Sequence, residues 1–222
     1  MIVNCGGDDG DDDHRADEGH REGGSGDDRY AQKMARTRAA KERMDAERTG
    51  DKGLIIVHTG AGKGKSTAAF GMVLRALGHG FRVAMVQFSK GTRASGERTA
   101  LARFGDQVAL VTAGEGFSWE TADRSRDAAA ARAGWARAEA FLADPAFRLV
   151  VLDEINVMLR HNHLPLPEVL AALAARPPGM HVVLTGRNAP PQVVARADLV
   201  TEMTMVKHPA RAGIRAQPGI EY

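Results

Sequence analysis

The chain is 222 residues long, 43% hydrophobic and +2 in net charge, enough for one sizeable core in an α/β domain of about 170 residues. Cys5 is the only cysteine, which excludes a disulfide framework, a thiolate metal site and a paired cysteine nucleophile and fits a reducing cytoplasm. No stretch approaches the roughly 20 apolar residues of a membrane span, and the acidic start lacks the basic n-region of a secretory signal, so no membrane role is expected.

Residues 1 to 28 hold ten Asp or Glu against Arg15 and Arg21, a balance of −8 that leaves +10 on residues 29 to 222. The acidic stretch has too few apolar residues to offset its ordering entropy, and it is expected to be a disordered tail. His14 and His20 lack regular ligand spacing there, which favours solvation over metal binding. The basic remainder suits polyanionic ligands. Aromatic residues make up only 5%, without a basic-aromatic repeat, so a nucleotide triphosphate is favoured over nucleic acid. From Tyr30 to Arg48 glycine and proline vanish and good helix formers dominate, which predicts a helix within residues 29–52. Its apolar face is thin, only Tyr30, Met34, Ala35 and Met44. Such a helix either frays or docks on another surface, for instance a second subunit.

The domain from 53 to 222 opens with an apolar run, Leu54 to Val57, breaking into Thr59-Gly60-Ala61-Gly62-Lys63-Gly64-Lys65-Ser66-Thr67. This reads as a phosphate-binding P-loop. Glycines let a phosphate approach the main chain, amides of the turn point at it, and the following helix, Ala68 to Gly78, adds positive potential at its N-terminus. Lys65 would neutralise outer phosphate oxygens, and Ser66 stands where a hydroxyl helps hold Mg²⁺. The first glycine of the usual pattern is replaced by Thr59.

Phe81 to Phe88 is a second predicted strand, and Lys90 and Arg93 follow in a polar loop, at the strand end where open α/β sheets bind ligands. Ser95 to Phe104 predicts a short helix and Val108 to Thr112 a third strand. The loop from Gly114 to Thr121 then places Phe117 and Trp119 among glycines, either as a plug for the core or as a binding surface. Asp123 to Leu142 predicts a long helix. Arg148 to Leu152 is an apolar strand ending in Asp153 and Glu154, the form of a Walker B strand that delivers an acid for Mg²⁺. Capping of the next helix is the competing reading of the two acids, and the P-loop upstream favours metal. His161 and His163 fit neither a helical zinc pair nor a complete site, and read as solvated loop histidines. A helix from Pro167 to Arg176, a strand from His181 to Thr185 followed by Gly186 and Arg187, a helix from Pro190 to Ala197 and a strand from Leu199 to Met203 complete the alternation. Alternating strands and helices predict an α/β fold with a mostly parallel sheet and helices on both faces.

Taken together, the P-loop, Val86-Gln87-Phe88 with Lys90-Gly91, the Gly116 to Thr121 loop, Val151 to Glu154, Leu164-Pro165-Leu166, Thr185-Gly186-Arg187, Val206-Lys207-His208 and Gly219 to Glu221 with Tyr222 resemble the corrinoid adenosyltransferases of the CobA, CobO and BtuR type. The likeness spans about residues 30 to 222. It implies a P-loop NTPase-like, RecA-like domain that transfers the 5′-deoxyadenosyl group of ATP to the Co(I) of a corrinoid and releases triphosphate, in cobalamin synthesis or salvage. It implies that Gly60, Ala61, Gly62, Lys63, Gly64, Lys65, Ser66 and Thr67 bind the triphosphate, with Lys90, Arg93 and Arg187 as further phosphate or corrinoid contacts. Ser66, Asp153 and Glu154 are implied to serve Mg²⁺ or Mn²⁺, and Phe117 and Trp119 to lie beneath the corrin ring. The resemblance further implies a homodimer in which the N-terminal helix covers the partner's active site, and a flavoprotein electron donor that reduces Co(II). A P-loop ATPase or phosphotransferase and a noncatalytic ATP-sensing module are the other classes these motifs allow.

Overall fold

A computed structural model describes residues 26–89, 95–113 and 124–221, and the chain divides into two units, Met1–Gly50 and Asp51–Tyr222. The first unit holds α1, Gly26–Ala46, with Asp27 and Asp28 in its first turn, where acids complement the helix dipole, and with none of its residues buried. The helix therefore begins inside the stretch assigned to the acidic tail. Two acids at a helix start are favourable, which composition alone does not register. Tyr30, Met34 and Met44 are all exposed on α1.

The second unit is a six-stranded sheet in the order β3-β2-β4-β5-β1-β6. Its strands are β1 (Ile55–Thr59), β2 (Val83–Gln87), β3 (Val108–Thr112), β4 (Leu149–Asp153), β5 (His181–Thr185) and β6 (Leu199–Glu202). Every pairing is parallel, as strands joined by helical crossovers must be. The central strands are buried on both faces, which explains why they read as unbroken apolar runs.

Alternation along the strands sends Ile56, Met85, Val151 and Val183 to one face. There they pack on Ala69, Phe70, Val73 and Leu77 of α2, Lys65–Gly78. The residues between, Val57, Val86, Val150, Leu152 and Leu184, meet Ala131, Trp135, Ala138 and Leu142 of α4, Arg124–Ala143, on the other face. Each such side chain, removed from water, contributes on the order of 1.5–3 kcal/mol. The remaining helices are α3 (Gly96–Leu101), followed by a 3₁₀ segment to Gln107, α5 (Ile155–Arg160), α6 (Leu166–Ala175) and α7 (Pro191–Arg196). The predicted helix from Ser95 to Phe104 is thus split, and α5 was not anticipated, being only six residues long. Among the described residues no helix is long and apolar enough to cross a membrane.

Two features of the sheet position the site. First, β5 lies between β1 and β4, so the phosphate loop and the acidic strand end flank the end of β5. Second, register aligns Thr112 with Gln87, Gln87 with Asp153, and His58 with both Thr185 and Thr201. A hydrogen bond from Thr185 to Asp153 joins the two halves, making a row of polar side chains across the carboxyl ends on the α2 side.

Candidate functional site

The phosphate loop takes its shape from Gly60 and Gly64, both at positive φ (94° and 106°), a region that costs other residues about 1–2 kcal/mol. A side chain would not fit in either of its first two glycines: a Cβ on Gly60 would fall 2.5 Å from the Met203 carbonyl oxygen, and one on Gly62 would fall 2.7 Å from it. Thr59, in place of the usual glycine, ends β1 with ordinary strand geometry, and its hydroxyl accepts the Ala189 amide at 3.1 Å. The Gly62 amide donates to Met203 at 2.6 Å. The Gly62 amide is thus engaged by the chain after β6, one exception among the amides of the turn expected to point at a phosphate.

Lys65 opens α2 and is buried. Its ammonium donates to the Gly60 carbonyl at 2.9 Å and the Gly62 carbonyl at 2.5 Å. Burial lowers its pKa, Glu154 and Asp153 raise it, and Arg187 lowers it further. Three of the residues expected around a triphosphate, Glu154, Asp153 and Arg187, thus act electrostatically on this one ammonium. An added anion would favour the charged form of Lys65. Ser66 is half-buried, whereas Thr67, Ala61, Lys63 and Arg187 are exposed. Lys63 forms an ion pair with Glu221.

Asp153 ends β4 fully buried. Its Oδ1 accepts the Thr185 hydroxyl at 2.8 Å and its Oδ2 accepts the Gln87 amide at 3.3 Å. Glu154 has φ 65° and ψ 18° and occupies the N-cap position of α5, but its side chain makes no capping hydrogen bond. The helix-cap reading of this acid therefore fails. A left-handed non-glycine residue next to a buried carboxylate is the kind of local strain that collects at functional sites. The donor set fits a hard divalent cation: two carboxylates and the Ser66 hydroxyl are oxygen ligands. Among the described residues there is no cluster of three or more His, Cys, Asp or Glu that could hold a metal ion.

Lys90, Arg93, Phe117 and Trp119 lie outside the described residues. His161 is exposed as expected, but His163 is buried, so the solvated reading of His163 is wrong. Its pKa is lowered by burial first, with Asp127 raising it and His161 and Arg124 lowering it. The turn after α5 brings His163 under the electrostatic influence of Asp127 and Arg124 of α4, residues distant in sequence that local polarity did not signal. Sequence reasoning also passed over Gln87, Thr185, Met203 and Glu221. For Gln87 and Thr185 the signal was present, a polar residue closing an otherwise apolar buried strand. For Met203 there was none, because its partners are distant in sequence, and Glu221 stood in the C-terminal stretch that carries the resemblance without any local pointer to Lys63.

Residues 51–222 match the family described as ATP:corrinoid adenosyltransferase BtuR/CobO/CobP. The chain is 50% identical over 196 residues to a corrinoid adenosyltransferase of Pseudomonas aeruginosa, covering 88% of this chain and 97% of that protein. It is 51% identical over 196 residues to a corrinoid adenosyltransferase of a Sinorhizobium species, covering 87% and 92%. To the corrinoid adenosyltransferase CobA of Salmonella typhimurium it is 44% identical over 196 residues, covering 88% and 99%. The matched region contains the phosphate loop, the acidic strand end and the Thr185 to Arg187 turn together, and on these grounds the chain belongs to the ATP:corrinoid adenosyltransferase family.

Proposed function

We propose that the carboxyl edge of this sheet transfers the 5′-deoxyadenosyl group of ATP to the Co(I) of a corrinoid, in cobalamin synthesis or salvage. The observation that carries the reading is the buried Lys65 ammonium, held on the Gly60 and Gly62 carbonyls at the head of α2, in a chain of this family. The electron pair of Co(I) attacks C5′ of the ribose, the C5′–O bond breaks, and its electrons leave with the triphosphate. The whole triphosphate is the leaving group, so the loop must hold it still while charge grows on it.

Backbone amides between Gly60 and Thr67, other than that of Gly62, serve the phosphates, with Lys63 beside them. Lys65 exchanges its carbonyl partners for phosphate oxygens and stabilises the departing charge. Arg187 adds positive charge at the same edge, and Lys90 and Arg93 serve as further phosphate or corrinoid contacts. Ser66, Asp153 and Glu154 hold Mg²⁺ or Mn²⁺, which when bound supplies further charge neutralisation. Phe117 and Trp119 lie under the corrin ring, where apolar rings exclude water from the axial position and so ease reduction of Co(II). A flavoprotein supplies that electron. The N-terminal helix within residues 29–52 covers the active site of a second subunit in a homodimer, and the protein works in the cytoplasm.

The test is incubation of the protein with ATP and chemically reduced cobalamin, followed by identification of both products. Adenosylcobalamin and one triphosphate per turnover are expected. Release of phosphate or ADP instead would assign a phosphotransferase or ATPase, and ATP binding without product would assign a sensing module.

A further inference from the structure

Thr185 lies at the centre of the polar row and has no part in the reading above. It is fully buried, as is Asp153 beside it. Its hydroxyl donates to Asp153 Oδ1 at 2.8 Å and accepts the Glu154 backbone amide at 2.8 Å. A hydroxyl has one proton, so the direction of the chain is fixed: Glu154 N–H to Thr185 Oγ, and Thr185 O–H to the Asp153 carboxylate. One atom thereby sets the rotamer of one acid and the backbone of the next. The second effect matters because Glu154 has left-handed φ, a conformation that must be held by its surroundings. Aligned hydrogen bonds of this kind also polarise one another in a water-poor site.

From this geometry we infer that Thr185 is a positioning residue for the divalent cation, acting through Asp153 and Glu154 rather than touching the metal. Loss of the hydroxyl takes one hydrogen bond from the buried Asp153 carboxylate and one from the part-buried Glu154 amide. The two carboxylates then no longer share a fixed geometry, and a cation with strict octahedral demands is affected more than the phosphates are. The inference rests on the reading that Asp153 and Glu154 serve the metal.

The test uses the full chain and ATP without corrinoid, so that no turnover occurs. ATP dissociation constants are measured by calorimetry with and without Mn²⁺, and their ratio is the gain that the metal contributes. Thr185→Val replaces the hydroxyl by a methyl of similar size. Thr185→Ser and Thr185→Ala lose the same methyl and differ only in the hydroxyl. The gain should fall at least tenfold in the Val and Ala variants and stay within threefold in the Ser variant, with metal-free ATP affinity within threefold throughout. Equal losses in Ser and Ala, or a gain unchanged in Val, would overturn the proposal. So would a loss confined to metal-free ATP affinity, since that marks a merely structural role. Glu154→Gln is measured alongside. If it leaves the gain intact, the assignment of the acids to the metal is itself wrong; if it abolishes the gain while Thr185→Ala does not, only the role of Thr185 is refuted.

Discussion

The amide of Gly62 donates to the carbonyl of Met203 at 2.6 Å, which ties the middle of the phosphate loop to the chain leaving β6. A Cβ at Gly62 would meet that carbonyl oxygen at 2.7 Å and the Thr204 carbonyl oxygen at 2.8 Å. Both obstacles are backbone, so the loop itself has to shift. Gly62→Ala is therefore expected to weaken ATP binding at least tenfold by calorimetry, while the melting temperature changes little because the loop lies outside the apolar core. ATP affinity within threefold of wild type would refute the idea that this tie shapes the nucleotide site.

Lys65→Ala removes an ammonium that the fold has already desolvated. The loss falls where charge grows on the leaving group, so kcat/KM should drop well over tenfold, corresponding to more than about 1.4 kcal/mol of transition-state stabilisation. Steady-state kinetics with chemically reduced cobalamin measures this. Retention of more than about a tenth of the activity would contradict the role given to Lys65.

The bare surface of α1 leads to a prediction about truncation. None of its residues is buried and Tyr30 and Met44 are more than half exposed, so the helix contributes little to the stability of its own chain. Deleting residues 1–25 should leave turnover unchanged. Deleting residues 1–50 should depress corrinoid turnover more than ATP affinity, and equal activity of the two truncations would exclude a covering role for the helix.

Stability should fall in two stages as the medium is acidified. His181 and His163 are both held below the ordinary imidazole range, chiefly by burial, and the neutral His181 ring accepts the Leu54 amide at 3.1 Å. A group with a depressed folded pKa contributes fully above its unfolded value, here about 6.5, and the contribution is lost as the pH falls through the folded value. Asp198 is held below the carboxylate range first by its hydrogen bond from Lys52 and then by the Ile55 amide. Its contribution is complete above about pH 3.9 and is lost only below that. Melting temperatures should therefore decline from about pH 6.5 downward and again below about pH 4. Replacing His181 with Asn, which keeps an acceptor that does not titrate, should reduce the first decline. A wild-type melting temperature flat between pH 8 and 5 would sink the argument.

Much of this architecture was legible in the residues. The central strands announced themselves as apolar runs, and the phosphate loop and the Asp153-Glu154 pair were identifiable from chemistry that needs those residue types in that order. What the sequence withheld depended on distance. Nothing local says that β5 separates β1 from β4, that Gln87 and Thr185 converge on Asp153, or that Met203 lies against Gly60 and Gly62. The burial of His163 was missed for the same reason, since its polar neighbours in sequence are not its neighbours in space.

The placement of β1 has a consequence for how the protein is made. Residues 55–59 are synthesised before residues 181–185 and 199–202, the β5 and β6 partners of β1 among the described residues. Until those strands are made, the nascent chain carries a phosphate loop with no paired strand to seat it, and an apolar strand with both edges unpaired. Such non-local pairing is slow and exposes sticky intermediates. Nucleotide-binding competence and the native sheet must therefore arrive together, once β5 and β6 have been made, and a chain that stops before them leaves the phosphate loop without its flanking strands.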